Sequence, residues 1–371
     1  MAKKLGFGLM RLPLTDPNDG GSIDMAQLKD MVDKFLERGF TYFDTAWMYC
    51  EGKSECAVKE ALTLRHPRES FTVTSKLPSY MLKTKEDRDK IFFEQLNKTG
   101  LQYFDYYLLH AIGPSNIQTF RELDCFGWLQ EKKAAGLIGK AGFSFHGSAE
   151  LLDEVLTEHP EVELVQLQIN YLDWESEKVQ SRLCHEVACK HGKQIIIMEP
   201  VKGGTLANVP DAVKEMFTKA DPAVSVPSWA VRFAAGLDNV FMVLSGMSNM
   251  DQLLDNTGYM QSFRPLDEKQ LDMVHMAAKM ISGEIKIPCT SCFYCTAVCP
   301  MNIAIPQYFA LYNRQDATSE EYSRLDCEFG KASDCIVCGQ CEKICPQQLS
   351  IRKLLRDVAE RFEYTKIRIV S

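Results

Sequence analysis

The chain alternates between two hydrophobic rhythms. Eight short runs are almost continuously apolar: LGFGLM (5–10), FTYFD (40–44), FTVTSK (71–76), FDYYLLH (104–110), LIGKAGFS (137–144), LVQLQI (164–169), QIIIME (194–199) and VFMVLS (240–245). Runs of this kind, rich in β-branched and aromatic residues, are expected of parallel strands buried on both faces. Between them the apolar residues recur at helical spacing. Met25, Leu28, Met31, Val32 and Phe35 mark one helix opening near Ser22. A second, with Ser54 as its expected N-cap, carries Ala57, Val58, Ala61 and Leu62. Eight strand–helix units over about 280 residues predict an α/β fold, a (β/α)8 TIM barrel. An open doubly wound sheet would show a glycine-rich dinucleotide turn after its first strand. Here Gly6-Phe7-Gly8 runs into Leu-Met-Arg-Leu-Pro, lacking the third glycine and the helix.

Polar residues close most of these runs: Asp44, Lys76, His110, Ser144, Gln168, Glu199 and Ser245. The C-terminal ends of barrel strands are where this architecture places its chemistry. Beyond the eighth unit, Leu271, Val274, Ala278 and Ile281 share a face of a last helix, and the composition shifts at Ile287-Pro288-Cys289. The expected organisation is a barrel over 1–282, a small metal-stabilised domain over 283–348, and a C-terminal helix and tail over 349–371. In that tail Ile351, Leu354, Leu355, Val358 and Phe362 form one stripe, expected to pack back on the body.

Composition narrows the class. The chain has 371 residues, 46% hydrophobic and 25% charged, ordinary for a globular protein with a sizeable core. A net charge of −8 speaks against a broad nucleic-acid footprint. No apolar run approaches the ~18 residues a membrane span needs, and the N-terminus lacks a signal-peptide pattern. A cytoplasmic protein is expected.

Cysteine is the unusual component, with 14 residues, eight of them in two arrays of identical spacing. Cys289-x2-Cys292-x2-Cys295-x3-Cys299-Pro300 recurs as Cys335-x2-Cys338-x2-Cys341-x3-Cys345-Pro346. Zinc needs only four ligands and gives no reason for a third cysteine at this spacing followed by Cys-Pro. The run is the signature of bacterial [4Fe–4S] binding, in which the fourth cysteine serves the other cluster. Residues 288–347 resemble two-cluster bacterial ferredoxins. One cluster is then expected on Cys289, Cys292, Cys295 and Cys345, the other on Cys335, Cys338, Cys341 and Cys299. The 35 residues between Cys299 and Cys335 make a longer, more helical interval than the smallest ferredoxins have. Of the other cysteines, 50, 56, 125, 184, 189 and 327, none has metal spacing; Cys184, Cys189 and Cys327 read as packing residues.

In the barrel, Phe43-Asp44-Thr45-Ala46-Trp47-Met48-Tyr49, Gly52-x-Ser54-Glu55, Ser75-Lys76 and Leu108-Leu109-His110 strongly resemble the aldo/keto reductase family, over roughly residues 5–260. The resemblance implies a catalytic tetrad of Asp44, Tyr49, Lys76 and His110. The chemistry is intelligible on its own terms. A carbonyl that accepts hydride becomes an alkoxide and needs a proton. A tyrosine, ordinarily titrating near ~10, can give it if a cation lowers that value. Lys76 would supply the cation, Asp44 would hold Lys76, and His110 would orient the carbonyl oxygen.

For an NADPH or NADH cofactor, the resemblance assigns Ser144 and Gln168 to the nicotinamide carboxamide, and puts Met198 where an aromatic residue commonly stacks. Phe145 stands where an Asn usually follows Ser144. Residues 246–256 resemble the adenosine-phosphate segment, implicating Ser248, Gln252, Asp255 and Asn256, with Gln252 where many members carry Arg. Lys202 is a candidate phosphate contact. Trp47, Met48, Tyr80, His146, Tyr171 and Trp174 follow the strands and are candidates for lining a pocket.

The reading is an NAD(P)H-linked oxidoreductase that interconverts a small-molecule carbonyl and alcohol, accompanied by two [4Fe–4S] clusters. Hydride moves two electrons together, whereas each cluster passes one. That mismatch keeps three alternatives open. One is a ferredoxin- or flavin-coupled reductase of another two-electron acceptor, with a flavin in the barrel mouth and a ferredoxin or flavoprotein partner. Another is an electron-transfer or redox-sensing protein with a docking barrel. The third is an ordinary reductase with structural clusters.

Overall fold

In the computed structural model, residues 3–17 and 19–363 are described. The eight runs form eight strands within about two residues of their expected ends: β1 (Leu5–Gly8), β2 (Tyr42–Asp44), β3 (Thr72–Pro78), β4 (Phe104–Ile112), β5 (Ile138–Phe145), β6 (Leu164–Gln168), β7 (Gln194–Met198) and β8 (Val240–Gly246). Each pairs in parallel with its neighbours, and β8 returns to β1 to close the barrel, with Leu5 opposite Val243 and Gly8 opposite Gly246. Closure removes both sheet edges, so every strand is inside the sheet, as its apolar run requires.

The barrel interior is packed. Tyr42, Leu108, Leu164, Ile196, Met242 and Leu244 meet there. Gly6 makes their room: a Cβ on it would lie 2.8 Å from both Tyr42 and Leu244. Gly142 of β5 is tighter still, because a Cβ would sit 2.2 Å from the Leu164 carbonyl oxygen.

Two helix starts differ from expectation. The first helix runs Met25–Glu37, opening three residues after Ser22, with Asp24 as N-cap; the Asp24 side chain accepts from the Gln27 N–H. Ser54 does not cap. It opens a short helix, Ser54–Val58, and its hydroxyl bonds Thr45 and the Leu9 carbonyl instead. The chain then continues as a π-helical turn, Lys59–Thr63, which the apolar spacing alone did not reveal.

Contacts divide the chain into two compact units, 1–201 with 216–274, and 202–215 with 275–371. The second unit is an internal repeat. Each cysteine of the first array recurs 46 residues later, 289 at 335 and 299 at 345, and the backbone follows suit. Left-handed φ angles recur at matching positions: Ser291 (50°) and Val337 (60°), Phe293 (63°) and Gly339 (74°), Asn302 (51°) and Gln348 (50°). These reversals wrap each array into a tight loop. A one-turn helix follows each loop, Tyr294–Ala297 and Gln340–Lys343, and then a longer one, Ile305–Asn313 and Ile351–Phe362.

The long interval between the arrays holds the helix Ser319–Asp326, started by a Thr318–Glu321 capping box. Its Tyr322 stacks on Tyr308 at 4.8 Å and on Phe362 at 5.4 Å. The helix Ile351–Phe362 was expected to pack back on the body. Instead Ile351, Leu355, Val358 and Phe362 join the core of this second unit. The remainder of the expected tail, residues 364–371, lies outside the described residues.

Candidate active site and cluster sites

Three neighbouring strands and the loop after the first of them carry the four residues of the expected tetrad. Asp44 ends β2, Lys76 sits two residues before the end of β3, and His110 lies opposite Pro78 on β4. Tyr49 follows β2 in the loop that Ser54 ties to Leu9. The structure brings all four together. Lys76 Nζ donates to Asp44 Oδ1 at 2.6 Å, to the Thr45 carbonyl at 2.9 Å and to Tyr49 OH at 3.2 Å. The Tyr49 and His110 rings meet edge to face at 6.1 Å.

The electrostatics follow from burial. Lys76 is fully buried; desolvation pushes its amine down, against the opposing pull of Asp44. Asp44 is pushed up by desolvation, with Lys76 opposing. His110 is held well below the usual histidine range by burial, by the charge on Lys76 and by His146. His146, itself pushed down to about 4 by burial, therefore stands beside His110 as a second neutral imidazole. Among the pocket candidates it acts directly on a tetrad residue, His110. Tyr171 and Trp174 pack on Phe233, and Tyr80 is exposed.

A buried layer backs the tetrad, joining the motif residues Glu55 and Ser75 to Gln95. Glu55 accepts from Ser75 Oγ at 2.7 Å and from Gln95 Nε2 at 2.6 Å, and Gln95 also donates to the Lys76 carbonyl at 3.1 Å. Gln95 comes from the helix Glu86–Thr99 and had no local signal. Arg11 was passed over as well; its guanidinium faces Glu199, beyond β7, at 3.6 Å.

The expected cofactor contacts divide. Gln168 and Met198 are register partners at the ends of β6 and β7. Gln168 Nε2 donates to Asp173 Oδ2 at 3.1 Å, and Ser144 Oγ accepts from the Ala111 N–H at 2.7 Å, fixing the residue after His110. The helix expected near Asn249 is present: Asn249 caps Met250–Gln261 by accepting from the Gln252 N–H. The Gln252 side chain in turn accepts from the Ser248 N–H at 2.7 Å. Asp255 and Asn256 are engaged within the fold, Asp255 with Ser225 at 2.6 Å and Asn256 with Ser245 and Tyr259. Lys202 is buried and opens the 202–215 segment of the second unit.

In the second unit the eight array cysteines gather crosswise. Cys289, Cys292, Cys295 and Cys345 line one hollow, and Cys299, Cys335, Cys338 and Cys341 line another. The residues fit cubane clusters. Apolar side chains, Ile305, Phe309 and Leu349 among them, wall the first hollow. Backbone N–H groups point at sulfur, from Ser291 to Cys289 at 3.4 Å and from Gln347, Gln348 and Leu349 to Cys345. Burial pushes up the Cys295 thiol, and the Cys341 thiol to about 11, so thiolates here call for bound cationic charge. Among the described residues no group of three or more His, Cys, Asp or Glu side chains is placed to hold a single metal ion.

The other cysteines are unremarkable in chemistry. Burial pushes the Cys50 thiol up to about 11. Cys327 is exposed, not packed as expected.

A closed parallel barrel with a buried Asp–Lys–Tyr–His group at the strand ends defines the class, and the comparisons supply the family. The aldo/keto reductase family matches residues 4–279, and the 4Fe-4S dicluster domain matches residues 288–349. The chain belongs to the aldo/keto reductase family and is an oxidoreductase that carries a 4Fe-4S domain. Similar solved structures include an aldo-keto reductase from Klebsiella pneumoniae in complex with NADPH, 17% identical over 74% of this chain and 90% of that one, with a TM-score of 0.59. Another is an aldo-keto reductase from Bacillus halodurans, 21% identical over 74% and 91%, with a TM-score of 0.59. A comparison with curated proteins gives no match. No described helix is long and apolar enough to cross a membrane.

Proposed function

We propose that this chain interconverts a small carbonyl compound and its alcohol with a nicotinamide dinucleotide, and that Tyr49 moves the proton. The observation that carries the reading is the Lys76 amine, 2.6 Å from Asp44 and 3.2 Å from the Tyr49 hydroxyl. A cation at that distance stabilises the phenolate left when Tyr49 gives up its proton. Asp44 and the Thr45 carbonyl hold the amine in place, so that stabilisation needs no rearrangement. A neutral His110 can donate one ring N–H to the substrate oxygen without competing for the proton.

Bound nicotinamide supplies the hydride. Ser144, Gln168 and Met198 would hold its ring, and Ser248 with the N-terminus of Met250–Gln261 would hold the phosphate end. The Klebsiella relative binds NADPH; here Gln252 brings no charge to the segment where many members have Arg, so either dinucleotide suits it. The crosswise thiol sets would hold two [4Fe–4S] clusters, which supply one-electron exchange. A reducing cytoplasm, which keeps such thiols available as ligands, is the expected compartment.

The test is Tyr49→Phe, measured on anaerobically purified protein with NAD(P)H and a panel of aldehydes and ketones. Carbonyl reduction is expected to fall by about 10²- to 10⁴-fold while dinucleotide affinity holds. Unchanged turnover would remove Tyr49 from the role. The visible spectrum of the same sample reports flavin, and a stoichiometric flavin would favour the coupled reductase.

A further inference from the structure

The two cysteine arrays fold alike but face different surroundings, and the internal repeat makes the comparison position by position. At the first loop, Thr290 is buried, and residue 203 must be glycine in effect: a Cβ there would sit 2.3 Å from the Thr290 carbonyl. The segment 202–215 thus covers the Thr290 side of this loop from within the second unit, while Phe293 of the same loop is 46% exposed. The counterpart of Thr290 in the second loop is Ile336, which is 59% exposed; beside it Val337 is 61% exposed, and the ligand Cys338 is exposed.

Charge differs in the same way. Where the first half carries Ala297, Pro306, Gln307 and Ala310, the second carries Lys343, Arg352, Lys353 and Arg356. Arg352 lies against the second loop, its guanidinium carbon 3.8 Å from the Cβ position of Gly339, and interacts with the thiols of Cys335 and Cys341. Lys353 and Arg356 are exposed within the next helical turn, and Lys343 is exposed at the end of its own short helix. Lys331 flanks the loop on its other side. Of the nearby acids Glu342 pairs with Arg352 at 2.8 Å and Asp334 accepts from the Lys331 N–H at 2.9 Å, while Asp357 and Glu360 lie one turn beyond Lys353 and Arg356 on the same helix. A basic rim around an exposed apolar pair is unusual on a chain of net charge −8.

We propose that this face, centred on Ile336 and Val337, docks an acidic one-electron carrier protein of the ferredoxin class. The inference rests on the reading that the clusters carry electrons. It adds their polarity: the Cys299/Cys335/Cys338/Cys341 site is the outer terminal, and the covered site the inner one. The exchange is one electron, lost by the carrier and taken up at the outer site, with no bond made or broken and no proton moved. A small apolar centre with a charged rim is how weak, fast electron-transfer encounters are built.

The experiment uses the full-length protein with its clusters, mixed anaerobically with a reduced plant-type [2Fe–2S] ferredoxin while cluster bleaching is followed. The second-order rate is expected to fall as salt rises. Lys343→Glu/Lys353→Glu/Arg356→Glu is expected to cut it at least tenfold at low salt. Ala297→Glu/Ala310→Glu, the matching exposed positions of the first half, should leave it within twofold. Ile336→Ser/Val337→Ser should slow transfer and keep the salt dependence. Equal loss in both charge variants, or no loss in either, overturns the docking face. Excess dithionite separates the two ideas: if it leaves the clusters of every variant unreduced, the electron-carrying reading fails instead.

Discussion

Lys76 and Asp44 are each other's largest electrostatic compensation in a fully desolvated place, with Glu55 adding to the support of Lys76, and this makes single substitutions costly. Lys76→Met would leave Asp44 buried without its cation, and breaking a buried pair in this way costs about 3–5 kcal/mol. Asp44→Asn/Lys76→Met should recover most of it, which urea denaturation of both variants would read. The histidines give a second residue-scale expectation. Burial holds His110 well below the usual range and His146 at about 4, whereas an unfolded histidine titrates near ~6.5. Their folded values are depressed, so the unfolded chain takes up protons that the fold refuses. The stability they contribute is complete above pH ~6.5 and is lost as pH falls toward 4, by about 1.4 kcal/mol per pH unit for each histidine. His146→Gln should remove about half of that slope in urea midpoints of the barrel transition between pH 6.5 and 5. All four tetrad residues were legible because short local strings carry them. Gln95 and Arg11 were not, because their partners come from other strands and helices.

At the level of elements, glycine positions show what the barrel tolerates. Gly142 lies where β5 crosses closest to β6, and its missing Cβ leaves room for the Leu164 carbonyl. Gly142→Ala should cost about 1–3 kcal/mol or more. Gly258, inside the helix Met250–Gln261, has nothing within 4 Å of a built Cβ. Gly258→Ala should therefore stabilise by about 0.5–1 kcal/mol. Thermal melts of the two variants are expected to move in opposite directions. The strands were legible almost to the residue, since burial on both faces writes an unbroken apolar run. The π-helical turn at Lys59–Thr63 was not, because one extra residue in a turn barely alters the spacing of Ala61 and Leu62.

The whole molecule consists of two units with different sources of stability. The barrel closes on itself and buries a large apolar interior. The second unit has a modest core around Tyr308, Tyr322 and Phe362, and its two hollows are lined by thiols. Metal-binding energy is folding energy in such a unit. Removing iron with a chelator under anaerobic conditions should abolish one calorimetric transition and leave the barrel transition in place. Native protein should hold about eight irons per chain. Retention of both transitions after complete iron loss would contradict this.

The apolar runs, the helical stripes and the two cysteine arrays were set by local order in the chain, because burial, periodicity and ligand spacing act over a few neighbouring residues. From these came the barrel, its candidate tetrad and the kind of metal centre. Other features needed the chain to return on itself. The contact of Gln95 with Glu55 and the Lys76 carbonyl, the role of the helix Ile351–Phe362 in the second core, and the cover that Gly203 allows over Thr290 all join residues far apart in sequence. Such contacts depend on where distant backbones come to rest, and no short window of side chains encodes that position.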